Sequence, residues 1–159
     1  PFLDSCADTG KGIFVLVKTS NPSGSEFQDL DVGRLKLYEA VADKVAAWGQ
    51  ELIGASGYSS VGAVVGATYP AEAEALRKRL PHTFFLVPGY GAQGAGADDI
   101  AVSFDARGLG AVVNSSRAIL TAWKKPQYAG MTAPQAARAA VLDMKQDIGQ
   151  ALEKRSIAW

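Results

Sequence analysis

Residues 84–94 read FFLVPGYGAQG, and this stretch decides the fold: an unbroken apolar run ends in a proline and three glycines. Phe84 to Val87 is too short for a helix and offers no polar face, which fits a strand covered on both sides, as parallel sheets require. Working outward, the same layout recurs at Gly12 to Val17, Val61 to Val65 and Ala111 to Val113, each run giving way to polar or glycine residues.

Helical patterns separate these runs. Between Gly33 and Leu52, the residues Leu37, Val41, Val45, Trp48 and Leu52 fall on one helical stripe. Pro70 to Leu80 opens with proline and Glu72 and closes with Arg77, Lys78 and Arg79, an order that complements the helix macrodipole. A short helix is expected around Asp98 to Phe104 and another from Ser116 to Lys124. The last, Ala133 to Arg155, presents Ala137, Val141, Met144, Ile148 and Leu152 on one face, with Thr132 as its N-cap.

Strict alternation of strand and helix predicts an α/β fold with a parallel sheet. Two architectures fit, an open doubly wound sheet or part of a (β/α)8 TIM barrel. A complete barrel takes about 250 residues, so 159 residues could make only about half of one. No linker or low-complexity stretch interrupts residues 1–159, which read as one unit without a second domain.

Composition narrows the function. With 48% hydrophobic and 20% charged residues, the chain has the make-up of a globular domain and can bury about two-thirds of its unfolded surface. Basic and acidic residues number 16 each, giving zero net charge, and no basic run supplies the footprint of a nucleic-acid or anionic-membrane binder. The longest apolar run, Ile13 to Val17, is far short of a membrane span, and no signal peptide is expected. The lone Cys6 and lone His82 exclude an internal disulfide and a Cys/His zinc site. A cytoplasmic setting is the expectation.

Parallel α/β folds bind ligands at the carboxyl ends of their strands. Here those ends carry Lys18-Thr19-Ser20-Asn21-Pro22, Gly66-Ala67-Thr68, the glycine-rich segment after Val87, and Asn114-Ser115-Ser116-Arg117. Glycines let backbone N–H groups approach a ligand closely, and Gln93 adds an amide. Taken alone, such a segment also suits an ordinary flexible turn. Arg117 falls in the first turn of a helix, where a cation opposes the macrodipole unless an anion binds there; the other reading is a side chain reaching outward to solvent. Consecutive strand ends with these features suit a phosphate. His82 precedes its strand and belongs to the opposite face, Cys6 reads as a structural or exposed thiol, and Asp143 to Asp147 reads as solvated helix charge.

Three segments together, 19–22 (TSNP), 88–94 (PGYGAQG) and 114–117 (NSSR), closely resemble the carboxyl-terminal half of orotidine 5′-phosphate decarboxylases, above all the longer bacterial chains of type 2, where a stretch like 61–68 (VGAVVGAT) also occurs. The resemblance implies a (β/α)8 barrel whose strands five to eight lie in this chain, and a cofactor-free conversion of orotidine 5′-monophosphate to uridine 5′-monophosphate and carbon dioxide. It implies that Ser20 hydrogen-bonds the pyrimidine, that Pro88 packs beside base or ribose with Tyr90 next to it, that Gln93 bridges toward the phosphate, and that Ser116 and Arg117 hold it. It also implies a homodimer with sites at the interface. The family's Asp-x-Lys-x-x-Asp reaction centre is absent, so no catalytic residue is expected in this chain; that motif belongs to an amino-terminal half that is missing here. Two further readings stand beside it: another phosphate-binding barrel of the same superfamily, and a non-catalytic half-barrel module that binds phosphate.

Overall fold

Branched residues dominate the short apolar runs, and in the computed structural model, which describes residues 1–91, 94–157 and 159, each forms a strand of one parallel sheet. Strands β1 (Ile13–Lys18), β4 (Val61–Val65), β5 (Phe85–Pro88) and β6 (Ala111–Asn114) lie side by side in that order. Between β1 and β4 the chain makes a short helix α2 (Ser25–Gln28), a small antiparallel hairpin of β2 (Asp31–Val32) and β3 (Leu35–Lys36), and helix α3 (Leu37–Gly49). Helix α4 (Pro70–Arg79) links β4 to β5, and α5 (Ala97–Ala101) links β5 to β6. After β6 come α6 (Ser116–Leu120) and the long α7 (Ala133–Lys154), preceded by Thr132, whose N–H and hydroxyl both donate to the Gln135 side chain at 2.9 and 2.8 Å.

Register fixes which side chains share a face. Phe14 pairs with Gly62, Leu16 with Val64, Val64 with Leu86, and Leu86 with Val112. The alternate set, Val17, Val61, Ala63, Val65, Phe85 and Val87, is buried against Ala42 and Val45 of α3, Ala73 and Leu76 of α4, and Ile100 of α5. A second cluster joins Ala97 and Ala101 to Ile148, Ala151 and Leu152 of α7.

Four expectations need correction. Strands covered on both faces were the reading from apolar runs, yet helices cover one face only: Phe14 remains 48% exposed and Leu16 62%. Apolar continuity reports the environment of a closed barrel, and this chain holds half of one. The helix expected from Gly33 begins at Leu37, because Gly33 adopts φ 68° in the turn of the β2–β3 hairpin. Its buried stripe is Ala42, Val45 and Gly49, leaving Trp48 44% exposed. On α7 the buried stripe starts one position earlier than expected, at Ala136 and Ala140, and rejoins the predicted one at Ile148 and Leu152. A helix α1 (Phe2–Thr9), which gave no periodic signal, buries Cys6.

Candidate functional site

All polar strand ends gather at one edge of the sheet. The first of them follows β1, where Ser20 is buried and its placement depends on glycine: a Cβ on Gly66 would come within 2.5 Å of the Ser20 nitrogen. Thr68 donates its hydroxyl to the Ser20 carbonyl at 3.3 Å, and the Thr19 N–H donates to the Gln28 side chain at 3.0 Å.

At the end of β5, Pro88 lies opposite Asn114 and Gly89 turns the chain at φ 112°, a conformation that β-carbon-bearing residues rarely adopt. The loop it opens is stapled. The Gly91 N–H donates to the Ala95 carbonyl at 2.9 Å, and the buried Ser115 hydroxyl donates to the Tyr90 carbonyl at 2.9 Å. Tyr90 itself reaches across to α7, donating its hydroxyl to Asp147 at 2.7 Å. Burial, and then the neighbouring Asp147, push the Tyr90 phenol upward, so it stays a neutral donor.

The end of β6 delivers Asn114, then Ser115, Ser116 and Arg117 at the start of α6. Arg117 is exposed, and no ion pair engages its guanidinium among the described residues. These three ends enclose a cleft of about 360 Å³ whose floor includes Leu16 and Val64 from the open sheet face. Ser20, Pro88, Tyr90, Ser116 and Arg117 all line it. Gln93 lies outside the described residues.

Other sequence readings fare unevenly. His82 sits at the amino-terminal end of the sheet as expected, exposed and against the Gly57 carbonyl at 3.0 Å. Asp143 and Asp147 are not simply solvated helix charges, because each accepts a tyrosine hydroxyl at 2.7 Å, from Tyr128 and Tyr90 respectively. Their four-residue spacing places both on the α7 flank facing α6, where they border a second cavity of about 260 Å³ behind the Tyr90 loop. Gly66 and Thr68 stand among the strand-end residues, but their part in positioning Ser20, like that of Gln28 in positioning Thr19, had no signal in the sequence, since the partners lie on other segments. No group of three or more His, Cys, Asp or Glu side chains is arranged to hold a metal among the described residues. No helix among them is long and apolar enough to cross a membrane.

Residues 1–132 match the model of the orotidine 5′-phosphate decarboxylase / HUMPS family. The chain is 47% identical over 152 residues to the orotidine 5′-phosphate decarboxylase of Rhodopirellula baltica, covering 93% of this chain and 50% of that protein. It is 53% identical over 124 residues to that of Caldicellulosiruptor bescii, covering 78% and 41%. Among solved structures it is similar to the Leishmania donovani OMP decarboxylase, with a TM-score of 0.63, 32% identity, and coverage of 87% of this chain and 48% of that one. The chain thus spans about half the length of the curated relatives it matches, and its four parallel strands are half of a (β/α)8 barrel. The chain belongs to the orotidine 5′-phosphate decarboxylase / HUMPS family.

Proposed function

We propose that this chain is the phosphate- and pyrimidine-binding half of an enzyme that decarboxylates orotidine 5′-monophosphate, with four further βα units closing over the open sheet face. One observation carries the reading. Ser20 and Arg117 come from the two edge strands of the sheet, yet they line one cleft with the Gly89 loop between them. That spacing suits a ligand with a polar ring at one end and an anion at the other. The sheet face that bears Phe14, Leu16 and Val112 is apolar and uncovered, as the wall of a barrel interior is before the barrel closes.

Within this reading, Ser20 hydrogen-bonds the pyrimidine and Pro88 packs beside the base or ribose. Gln93 bridges toward the phosphate, and Ser116 and Arg117 hold it, Arg117 through charge-assisted hydrogen bonds. Loss of carbon dioxide breaks the bond between C6 and the carboxylate and leaves its electron pair on C6, which must then take a proton. This chain offers no Asp-x-Lys-x-x-Asp segment. On this reading, as the family resemblance implies, the proton donor is carried by the other half of the barrel. The same reading makes the working enzyme a cofactor-free, cytoplasmic homodimer. The decarboxylase names of the curated relatives favour this substrate over those of other phosphate-binding barrels.

The test is Arg117→Ala in the full-length protein. A hydrogen bond to a charged group contributes about 1.5–3 kcal/mol, so kcat/KM for orotidine 5′-monophosphate falls at least about tenfold. Binding energy from a phosphate that does not react also organises the reacting end, so kcat falls with it. Turnover of the phosphate-free nucleoside stays where it was. Equal losses for nucleotide and nucleoside would sink the phosphate assignment.

A further inference from the structure

We infer that Lys18 is a positioning residue that locks the segment carrying Ser20 into place, an inference that rests on the reading of Ser20 as the pyrimidine contact. Lysine at the carboxyl end of a barrel strand invites a catalytic interpretation, and simple alternation supports one. Phe14 and Leu16 face the open side of the sheet, so Lys18 should follow them there. It does not. The register of β1 against β4 slips between Leu16 and Lys18, setting Lys18 opposite Val65 on the helix-covered face. A strand irregularity of this kind re-aims a side chain. Lys18 is 1% exposed and does not line the cleft.

Its surroundings explain what it does instead. The Lys18 ammonium donates to the Asp29 carboxylate and lies 4.8 Å from the Tyr38 ring centroid and 4.7 Å from that of Tyr69. Asp29 follows α2 directly, so the ion pair joins the last residue of β1 to the far end of the segment that starts at Thr19. Beside it, Thr19 and Gln28 make a second closure of the same loop. Ser20 is thus held from one side by two cross-ties and from the other by Gly66 and Thr68. A buried ammonium without its partner is costly. Any opening of the loop at Asp29 strands that charge, so the charge itself keeps the loop closed.

Asp29 is only partly buried, so Lys18→Met leaves a carboxylate that water can solvate and the protein still folds. In the full-length protein, backbone amides of residues 19–30 should exchange with deuterium at least about tenfold faster in Lys18→Met, with the α7 amides unchanged. Asp29→Asn should give the same local pattern, and serves if the first variant is poorly expressed. In kinetics, Lys18→Met should lower kcat/KM for orotidine 5′-monophosphate about tenfold, and adding it to Ser20→Ala should lower it no further. Unchanged exchange in the 19–30 segment overturns the inference. So does a Lys18→Met loss that persists at full size in the Ser20→Ala background, which would mean that Lys18 acts by another route. Normal kinetics in Ser20→Ala alone would instead overturn the assignment of Ser20, while the exchange measurement still decides the role of Lys18.

Discussion

The two ends of the sheet use arginine in opposite ways. At the amino-terminal end, Arg77 is only 8% exposed and donates to the carbonyls of Gly110 at 3.2 Å, Thr83 at 2.9 Å and Leu80, while its guanidinium stacks 4.1 Å from the Phe85 ring. Nearby, Tyr58 donates to Asp105 at 2.6 Å and accepts from Arg107 at 3.0 Å, so this end closes on itself. At the carboxyl-terminal end Arg117 is exposed beside a cleft, with serine and asparagine side chains around it. Polar groups that saturate one another stabilise the fold, and polar groups left facing a cleft are available to a ligand. In this half-barrel the division follows strand direction, as it does in barrels generally.

The sharpest break of that contrast is Arg77→Met. It removes hydrogen bonds to three buried carbonyls, of which Gly110 keeps the Phe85 N–H and Leu80 the Thr83 N–H while Thr83 loses its donor, and should cost about 3 kcal/mol of folding free energy, read as a lowered midpoint in urea denaturation. Arg117→Ala in the same assay should shift stability by less than about 0.5 kcal/mol, the usual range for exposed positions. A similar loss for both variants would mean that the two ends do not differ in kind.

A smaller effect is expected at Tyr90, which belongs to both regimes. It lines the cleft, and its hydroxyl is engaged by Asp147. Tyr90→Phe should cost about 1 kcal/mol of stability and raise KM for the nucleotide a few-fold, through loosening of the Gly89 loop. Asp147→Asn should move KM in the same direction, although Asp147 lines only the second cavity. If Asp147→Asn leaves KM unchanged while Tyr90→Phe raises it, the tyrosine acts on ligand directly and not through its tether.

What could be read from the sequence follows the range of the forces involved. The four strands and the carboxyl-end positions of Ser20, Pro88 and Arg117 come from local apolar runs and the residues after them, so they were legible. The β2–β3 hairpin was not, because strands of two residues carry no period and Gly33 reads equally well as a helix start. Alternation from Phe14 and Leu16 would put Lys18 on the open face, and the register slip that reverses this depends on the partner strand, which the sequence does not display. Asp147 looked like surface charge because its tyrosine lies 57 residues away. The uncovered sheet face misled in another way: Leu16 and Val112 are apolar for a barrel interior whose other wall lies outside these residues.

The effect confined to the narrowest range of conditions tests the self-contained end by pH. Burial alone would raise the Asp105 carboxyl, but the Tyr58 hydroxyl, the Leu109 and Arg107 N–H groups and the Arg107 side chain outweigh it and hold the carboxyl at about 2, below its ordinary 3.8. A carboxylate whose pKa is depressed by folding adds stability above its unfolded pKa, and that stability is lost as pH falls through the folded value. The contribution should therefore be complete above about pH 4 and disappear toward pH 2. Because Arg107 is well exposed, the size should be about 1 kcal/mol. The measurement is the urea midpoint from pH 5 to pH 2 for the unmodified chain and for Asp105→Asn. The gap between the two should narrow on acidification, since Asp105→Asn has no proton to take up at this position. A constant gap would show that the Tyr58–Asp105–Arg107 contacts act by shape alone, and the amino-terminal end would then owe its stability to Arg77.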